Sequence, residues 1–344
     1  MQNLFGLRQK ISGVVPVTDA KQKELEQTNN IGSEIEPLSE EDKLKINQSI
    51  KLTTTEELDS QEKTNAADSE SDCENCTNHD DDHDEKVFNN LQIDKESTLF
   101  NSSKTPSIQL IVPTSQTDWK FDACMEFENS VQYKLNTWAM EQNRNNANIN
   151  INCNVTSLPI NIMDIEIMRH QKNRILILPH FIWINDLTVD KVTDTMDTLL
   201  PFLLDHSKES KAKLLSQFDF LSEANEKAFV FICSHKTRDK RCGITAPILK
   251  KRFDTLLMKH GLYRDYSDIR HDGIQVAFIN HVGGHKFAAN VLIYLKSSNT
   301  LVWLGRITPN NVKYIVNGLL LNEHSPELAF PEKIRCIKKY NTDW

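Results

Sequence analysis

In the C-terminal part of the chain, short apolar runs of strand length alternate with stretches whose apolar residues recur every three or four positions. The first pattern is typical of buried β-strands, and the second is typical of helices with one packed face. Between residues 105 and 222, strands are predicted at 108–112 and on both sides of Pro179, and helices are predicted over 125–142 and 187–205. These elements predict a first α/β domain over residues 105–222.

The same patterns continue over residues 226–344, where they predict a second domain. Its predicted elements are a strand over 227–233, a helix over 244–262, strands over 273–280, 288–295 and 299–305, and a helix over 308–321. Pro247 near the first turn and Gly261 after the last turn are helix start and stop signals. The order β-α-β-β-β-α predicts a small α/β sheet of thioredoxin-like character.

Residues 1–100 have a different composition. They carry 23 acidic and 10 basic side chains, a net charge of −13, whereas the rest of the chain has a net charge of +5. They are poor in aromatic residues, so we expect a disordered acidic tail that cannot bury enough apolar area to offset its ordering entropy. Cys73, Cys76, His79 and His83 lie in its most acidic stretch, but no packed elements are predicted around them to support a zinc site.

Composition also excludes several classes of protein. No apolar run reaches the length of a membrane span, so no membrane association is expected. The weakly basic C-terminal part lacks the clustered basic residues that are typical of nucleic-acid binding. The seven cysteines are an odd number in a long chain without a secretory signal, which favours a reducing intracellular compartment over a disulfide framework.

Two cysteines and two histidines stand where the predicted elements of the second domain begin or end. Cys233 closes the strand over 227–233, Cys242 comes just before the following helix, and His281 and His285 follow the next strand. Functional sites of α/β sheets gather at strand ends and helix starts, so these side chains are expected to meet. Two thiolates and two imidazoles are a permitted ligand set for zinc and for an iron–sulfur cluster of mixed ligation.

The spacing of these ligands departs from that of a structural zinc finger. Eight residues separate the cysteines and 38 residues lie between Cys242 and His281, whereas a zinc finger places its two pairs about a dozen residues apart. A two-iron cluster needs one ligand pair on each iron, and a cysteine loop facing an H-x3-H turn suits that demand. Gly283 and Gly284 would let the turn curl so that both imidazoles point the same way.

The loop between the cysteines is basic. Lys236, Arg238 and the N-terminus of the next helix would stabilise an electron added to a thiolate-bound cluster, and a solvated basic loop is the alternative. His235 is expected to point away from the cysteine that precedes it by two positions. A redox disulfide between Cys233 and Cys242 would leave the histidines unexplained, and a hydrolase would lack its acid and oxyanion motifs.

Two motifs, FVFICSHKTRDKRCGITAP and NHVGGHKFAANV, resemble the sucrase/ferredoxin-like family of thioredoxin-like ferredoxins. Further similar stretches are LFNSSKTPSIQLIVPTSQTDW, LPHFIWINDL, HGLYRDYSD, TLVWLGRITP and FPEKIRCIKKY, so the resemblance covers about residues 95–344. It implies a [2Fe-2S] cluster held by Cys233, Cys242, His281 and His285. In related thioredoxin-like ferredoxins the second ligand pair is C-x3-C, and here H-x3-H stands in its place.

The resemblance implies an electron-transfer protein rather than an enzyme, with an electron donor and acceptor that the sequence does not identify. Neutral imidazole donates less charge than thiolate, so two histidine ligands would raise the reduction potential, as in Rieske centres. Their second ring nitrogens would couple reduction to proton uptake. The alternative is a zinc-stabilised interaction module without redox activity, and a link to cortical actin organisation is implied for either.

The family also implies a location. We expect the cytoplasm, with the nucleus as a second compartment, rather than the mitochondrion of a sister branch. The opening residues MQNLFGLRQKISGVV contain a single arginine and are soon followed by acids, which disfavours a mitochondrial presequence. The chain ends in YNTDW, and Trp344 is expected to form a tail that the cytosolic iron–sulfur assembly machinery reads.

Overall fold

The computed structural model describes residues 38–65, 78–205, 208–265, 268 and 270–341. The helices and strands, labelled in chain order, are α1 Glu40–Asn47, β1 Lys51–Leu52, α2 Thr55–Asn65, α3 Asn78–Asn89, β2 Ile108–Pro113, α4 Val131–Asn145, β3 Ile151–Thr156, α5 Ile165–Met168, β4 Lys172–Leu178, β5 Ile182–Thr188, α6 Val192–Leu204, α7 Lys208–Gln217, β6 Leu221–Glu223, β7 Ala228–Cys233, α8 Lys240–Lys259, β8 Ile274–Ile279, β9 Val291–Leu295, β10 Thr300–Leu304, α9 Pro309–Ile315, β11 Glu327–Leu328 and β12 Ile334–Lys339. A π-helical turn, Val316–Leu320, continues α9. The predicted mixed α/β class is confirmed.

One mixed sheet runs through both predicted domains. In the described part of the chain it has ten strands in the order β12-β10-β9-β7-β8-β3-β2-β4-β5-β6. The strands of residues 107–223 form one half and those of residues 228–339 form the other, and the halves join where Thr156 of β3 pairs with Ile279 of β8. The division at residues 222–226 therefore stays a prediction, since the two segments share a sheet.

The sheet curves strongly around one of its faces. Successive residues of a strand point to opposite sides, and on one side the sheet packs against helices, for example β7 against α8 through Val230 and Phe253. On the other side the two halves meet, because the Tyr294 hydroxyl of β9 donates a hydrogen bond to the side-chain oxygen of Gln109 on β2. In a flat sheet four strand spacings, about 19 Å, would separate these strands. The contact therefore requires the sheet to fold over this face.

The predicted disorder is wrong for residues 38–65 and 78–100, which pack against the C-terminal half of the sheet. Ile46 of α1 and Leu58 of α2 are 0% and 1% exposed, and β1 pairs in parallel with β11. The average composition of the segment does not predict this packing, because each short polar helix contacts the sheet half through only one or two apolar side chains. The remainder of the predicted tail, residues 1–37 and 66–77, lies outside the described residues.

The helix after the first cysteine begins earlier than the sequence predicts. Asp239 caps α8 by accepting a hydrogen bond from the Arg241 backbone N–H at 2.9 Å, and Pro247 lies inside the helix rather than in its first turn. Cys242 is therefore part of the first turn of α8. Among the helices that the structure describes, none is both long and apolar enough to cross a membrane.

Candidate metal centre

The two cysteines of the predicted site meet in the interior. Cys233 is the last residue of β7, Cys242 lies in the first turn of α8, and both are fully buried. Pairing with the neighbouring Cys242 thiol holds the pKa of Cys233 well below its usual range, and the ring of His281 acts in the same direction. The same pairing, together with burial, raises the pKa of Cys242. The pair thus favours one thiolate, on Cys233.

The two histidines lie beside this pair on the loop that follows β8. Their ring centroids are 5.3 Å apart with an interplanar angle of 41°. The Nδ1 atom of His281 is buried and has no hydrogen-bond partner among the described residues, whereas His285 is exposed to solvent. The structure therefore places the histidines as a pair beside the buried cysteines, with His285 at the surface.

The loop between the histidines depends on its two glycines. Gly283 and Gly284 have φ angles of 86° and 65°, in the left-handed region that side-chain-bearing residues rarely adopt. A Cβ atom on Gly284 would also collide with the guanidinium of Arg335. These positions require glycine for conformation and, at Gly284, for space.

Arg335, on β12, is a residue of the site that sequence reasoning missed. It is 2% exposed, and its Nη1 donates hydrogen bonds to the Gly283 carbonyl at 2.9 Å and to Asn290 Oδ1 at 2.7 Å. Asn290 in turn donates through Nδ2 to the Gly284 carbonyl at 3.2 Å and accepts from the Cys233 backbone N–H at 3.0 Å. Arg335 and Asn290 therefore link the histidine turn to the strand that carries Cys233.

The start of the histidine loop is held by a second set of polar contacts. The Gln109 side-chain amide donates to Asn154 Oδ1 at 3.0 Å, and Asn154 donates to Asn280 Oδ1 at 2.7 Å. Asn280 directly precedes His281 in the chain. This row of buried amides runs from the end of β8 into the interface between the two halves of the sheet and fixes where the loop leaves it.

His235 fixes the same loop and is not free to bind a metal. Its Nδ1 accepts a hydrogen bond from the His281 backbone N–H at 3.1 Å, so its Nε2 carries the proton and donates to the Trp119 carbonyl at 3.0 Å. Both ring nitrogens of this buried residue are therefore used. The expectation that His235 is not a ligand agrees with this geometry.

The basic residues expected to support the site make other contacts. Arg238 donates to the Phe121 carbonyl at 2.9 Å and to Asp122 at 3.2 Å, and its guanidinium lies 3.7 Å from the centre of the Phe121 ring. Lys236 is exposed, and its side-chain stem lies against Gly243 in the first turn of α8. Arg238 thus joins the cysteine loop to the N-terminal half of the sheet, and within the described part of the chain neither cation contacts the thiols.

The four predicted ligands form two linked pairs. No three cysteine, histidine, aspartate or glutamate side chains in the described ranges converge closely enough to hold one metal ion. The thiols contact each other, the imidazole rings are neighbours, and His281 joins the pairs through Cys233. A buried pair of thiols and a buried imidazole nitrogen that has no partner among the described residues are donors that fit an iron–sulfur cluster of mixed ligation. Cys73, Cys76, the side chain of His79 and Trp344 lie outside the described residues.

Comparison with known proteins agrees with the resemblance seen in the motifs. Residues 99–336 match the sucrase/ferredoxin-like family. Actin patches distal protein 1 of Saccharomyces cerevisiae is 51% identical over 315 residues, which cover 90% of this chain and 96% of the yeast protein.

More distant relatives match a shorter part of the chain. Two proteins named altered inheritance of mitochondria protein 32, from Debaryomyces hansenii and Meyerozyma guilliermondii, are 36% and 33% identical over 107 and 102 residues. These matches cover 30% of this chain in each case and 35% and 33% of the two proteins. No solved structure matches the chain. The full-length similarity and the match over residues 99–336 show that this chain belongs to the sucrase/ferredoxin-like family.

Proposed function

We propose that the protein carries a [2Fe-2S] cluster held by Cys233, Cys242, His281 and His285 and that it transfers electrons. The observation that supports this most directly is the arrangement of the donors as two linked pairs, one of buried thiols and one of neighbouring imidazoles. A two-iron cluster takes one pair on each iron, and the bound cluster would supply one-electron redox chemistry.

The chain itself would set the conditions for that chemistry. The Cys242 thiol already stabilises a thiolate on Cys233, which is the form that binds iron. Burial of both sulfurs excludes water from one side of the site, while the exposed ring of His285 makes the other side accessible. An electron partner would therefore approach on the histidine side.

Proton coupling is part of the same proposal. A ligating imidazole keeps a second ring nitrogen, and the ring of His285 is in contact with solvent. It can therefore exchange a proton when the electron arrives, whereas Nδ1 of His281 is enclosed. The midpoint potential should fall with rising pH between pH 6 and 9, by up to about 59 mV per pH unit for one proton per electron. A flat profile would show that the electron moves without the proton.

The cellular setting is proposed from the relatives. The name of the yeast relative refers to actin patches, so we propose a cytoplasmic protein that is linked to actin patch organisation. The nucleus is a second proposed location. The mitochondrial location is disfavoured, because the relatives whose names refer to mitochondria match about 30% of this chain. A tail that ends at Trp344 would be read by the cytosolic iron–sulfur assembly machinery, and deleting that residue should lower iron occupancy in cells.

Anaerobic purification followed by metal analysis tests the cluster. We expect two irons and two acid-labile sulfides per chain and a red-brown colour with visible absorption. A colourless protein with one zinc per chain would instead support a zinc-stabilised interaction module. Cys336→Ser is the matched control for Cys233→Ser, because Cys336 is a buried thiol on β12 to which the proposal gives no ligand role. Cys233→Ser should abolish cluster binding and Cys336→Ser should retain it.

Ligand exchange tests the histidines separately. His281→Cys or His285→Cys should retain a cluster but lower its reduction potential, since thiolate donates more charge than imidazole. His271→Cys is the control, because it places a new thiol at an exposed histidine outside the site. If His281→Cys or His285→Cys retains the wild-type potential, the assignment of that histidine as a ligand is wrong.

A further inference from the structure

Arg335 is a buried cation without a carboxylate partner among the described residues. The contacts of its guanidinium are the hydrogen bonds to Gly283 and Asn290, hydrogen bonds of 3.1 and 3.2 Å to Ser102 Oγ and the Ser102 carbonyl, and the rings of Trp303 and Phe287. Burial lowers its pKa to about 10 against the attraction of Cys336 and Cys233, so it remains charged at neutral pH. A buried charge is costly unless an opposite charge balances it.

The site beside Arg335 would provide that opposite charge. A [2Fe-2S] cluster with two thiolates and two neutral imidazoles is neutral when oxidised and carries one negative charge when reduced. The guanidinium lies against the turn that bears the histidines, with its Nη1 atom 2.9 Å from the Gly283 carbonyl oxygen. A fixed positive charge beside the site stabilises the reduced form more than the oxidised form.

Arg335 also fixes the position of the histidine turn relative to the strand that carries Cys233. Its bonds go to the Gly283 carbonyl and, through Asn290, to the Gly284 carbonyl and the Cys233 backbone N–H. Both bonds to the turn use backbone carbonyls, so they fix the path of the chain rather than a flexible side chain. The turn between the histidines is thereby tied to the strand end that carries the first cysteine.

We propose that Arg335 is the positioning residue of the metal centre: it holds the Gly283–Gly284 turn, and with it the two histidines, against the strand end that carries Cys233, and its buried charge favours the reduced cluster. The charge part of this inference rests on the proposed function, whereas the positioning part concerns the chain alone. The alternative is that Arg335 only stabilises β12 and the turn that contains Ser102.

Arg306 offers a matched control. It is 7% exposed, and its guanidinium lies 5.2 Å from the Phe287 ring, close to the 5.4 Å of Arg335. Its hydrogen bonds, however, go to the Asp94 and Ser97 carbonyls at 2.5 and 2.6 Å rather than to the histidine turn. Arg306 also has a carboxylate partner, Asp94 Oδ1 at 3.5 Å. Arg335→Met and Arg306→Met therefore each remove a buried cation beside Phe287, but only Arg335 donates a hydrogen bond to the Gly283–Gly284 turn.

The first measurement needs no metal. Hydrogen–deuterium exchange of the metal-free full-length chain should show amides of residues 282–287 exchanging about tenfold faster or more in Arg335→Met, the factor expected when one or two charge-assisted hydrogen bonds are lost. Arg306→Met should accelerate exchange in that segment less, because its partner Asp94 contacts only Lys286 at the end of the segment, whereas Arg335 binds Gly283 directly. Unchanged exchange in Arg335→Met, or equal acceleration in both variants, would overturn the positioning inference. Because this measurement uses the metal-free chain, it tests positioning even if the wild-type chain binds no iron. A wild-type chain that binds no iron would refute the proposed function and not the positioning inference.

The second measurement is the midpoint potential of the cluster-loaded chain. Arg335→Met should shift the one-electron reduction equilibrium toward the oxidised form by at least about tenfold, which corresponds to about 59 mV. Arg335→Lys keeps the charge and should have a potential closer to wild type than that of Arg335→Met, while losing the branched hydrogen bonds and exchanging faster at residues 282–287. It also serves as the test variant for positioning if Arg335→Met does not fold. A potential that is equal in Arg335→Met, Arg306→Met and wild type would overturn the charge part, as would an Arg335→Lys potential that is shifted toward the oxidised form by tenfold or more.

Discussion

Leu58 provides a sharp test of whether residues 38–65 are part of the folded protein. The side chain is 1% exposed, and its Cδ1 atom lies 3.4 Å from the position that a Cβ on Gly318 would occupy, in the π-helical turn after α9. Leu58→Ala replaces one good helix former with another, so its effect on helix propensity is small. The change instead removes buried methyl groups, and for a core leucine this costs about 2 to 5 kcal/mol of unfolding free energy.

Leu44→Ala in the neighbouring helix is the matched control, because Leu44 is 64% exposed. A surface change of this kind is expected to alter stability by less than about 0.5 kcal/mol. Urea unfolding would measure the difference, with limited proteolysis between residues 38 and 65 as a second readout in case this segment undocks before the sheet unfolds. If Leu58→Ala and Leu44→Ala behave alike in both assays, the segment is not docked as described and the original expectation of a disordered tail would stand for it.

Three further predictions follow from single contacts. Gly284→Ala should strongly reduce iron occupancy, because residue 284 has a φ of 65° and the added Cβ would collide with the guanidinium of Arg335. Gly261→Ala is the control and should retain the iron, since Gly261 has the same φ but no atom within 4 Å of the added Cβ. Hydrogen bonds from Ser97 and Lys286 hold the pKa of Asp94 below its usual value of 3.8. The ionised carboxylate therefore stabilises the folded protein at neutral pH, and this stabilisation is lost as the pH falls below about 4. Asp94→Asn should accordingly reduce the loss of unfolding free energy that acid causes. Tyr294→Phe removes the donor to the Gln109 side-chain oxygen and should cost about 1 to 3 kcal/mol in urea unfolding, since a buried acceptor loses its partner; a loss below about 0.5 kcal/mol would mean that water replaces the hydroxyl.

The elements that the sequence predicts well are those with strong apolar patterns. The strand expected at residues 108–112 is observed as Ile108–Pro113 with every residue buried, and the strand expected at 227–233 is Ala228–Cys233. Such nearly continuous apolar runs are typical of strands that are covered on both faces. Because the strand ends were located correctly, the meeting of Cys233 with His281 could also be anticipated.

Other features depend on tertiary contacts that carry little local signal. Helices α1 and α2 are mostly polar and are ordered by packing against the C-terminal half, through side chains such as Ile46. The curvature that brings Tyr294 to Gln109 follows from the whole sheet rather than from either strand. Arg335 is indistinguishable in sequence from a solvent-exposed arginine, and the weak signal available is its position between Ile334 and Cys336, which are both buried.

We propose that His281 and His285 bind the same cluster as Cys233 and Cys242. Pulsed electron paramagnetic resonance of the reduced protein reports ligand nitrogens directly, because each bound imidazole nitrogen couples to the unpaired electron. We expect two strongly coupled nitrogens in the wild-type protein and one in each of His281→Cys and His285→Cys, with two retained in His271→Cys. A reduced cluster without strongly coupled nitrogen, or a wild-type protein that holds zinc and gives no signal, would contradict this proposal.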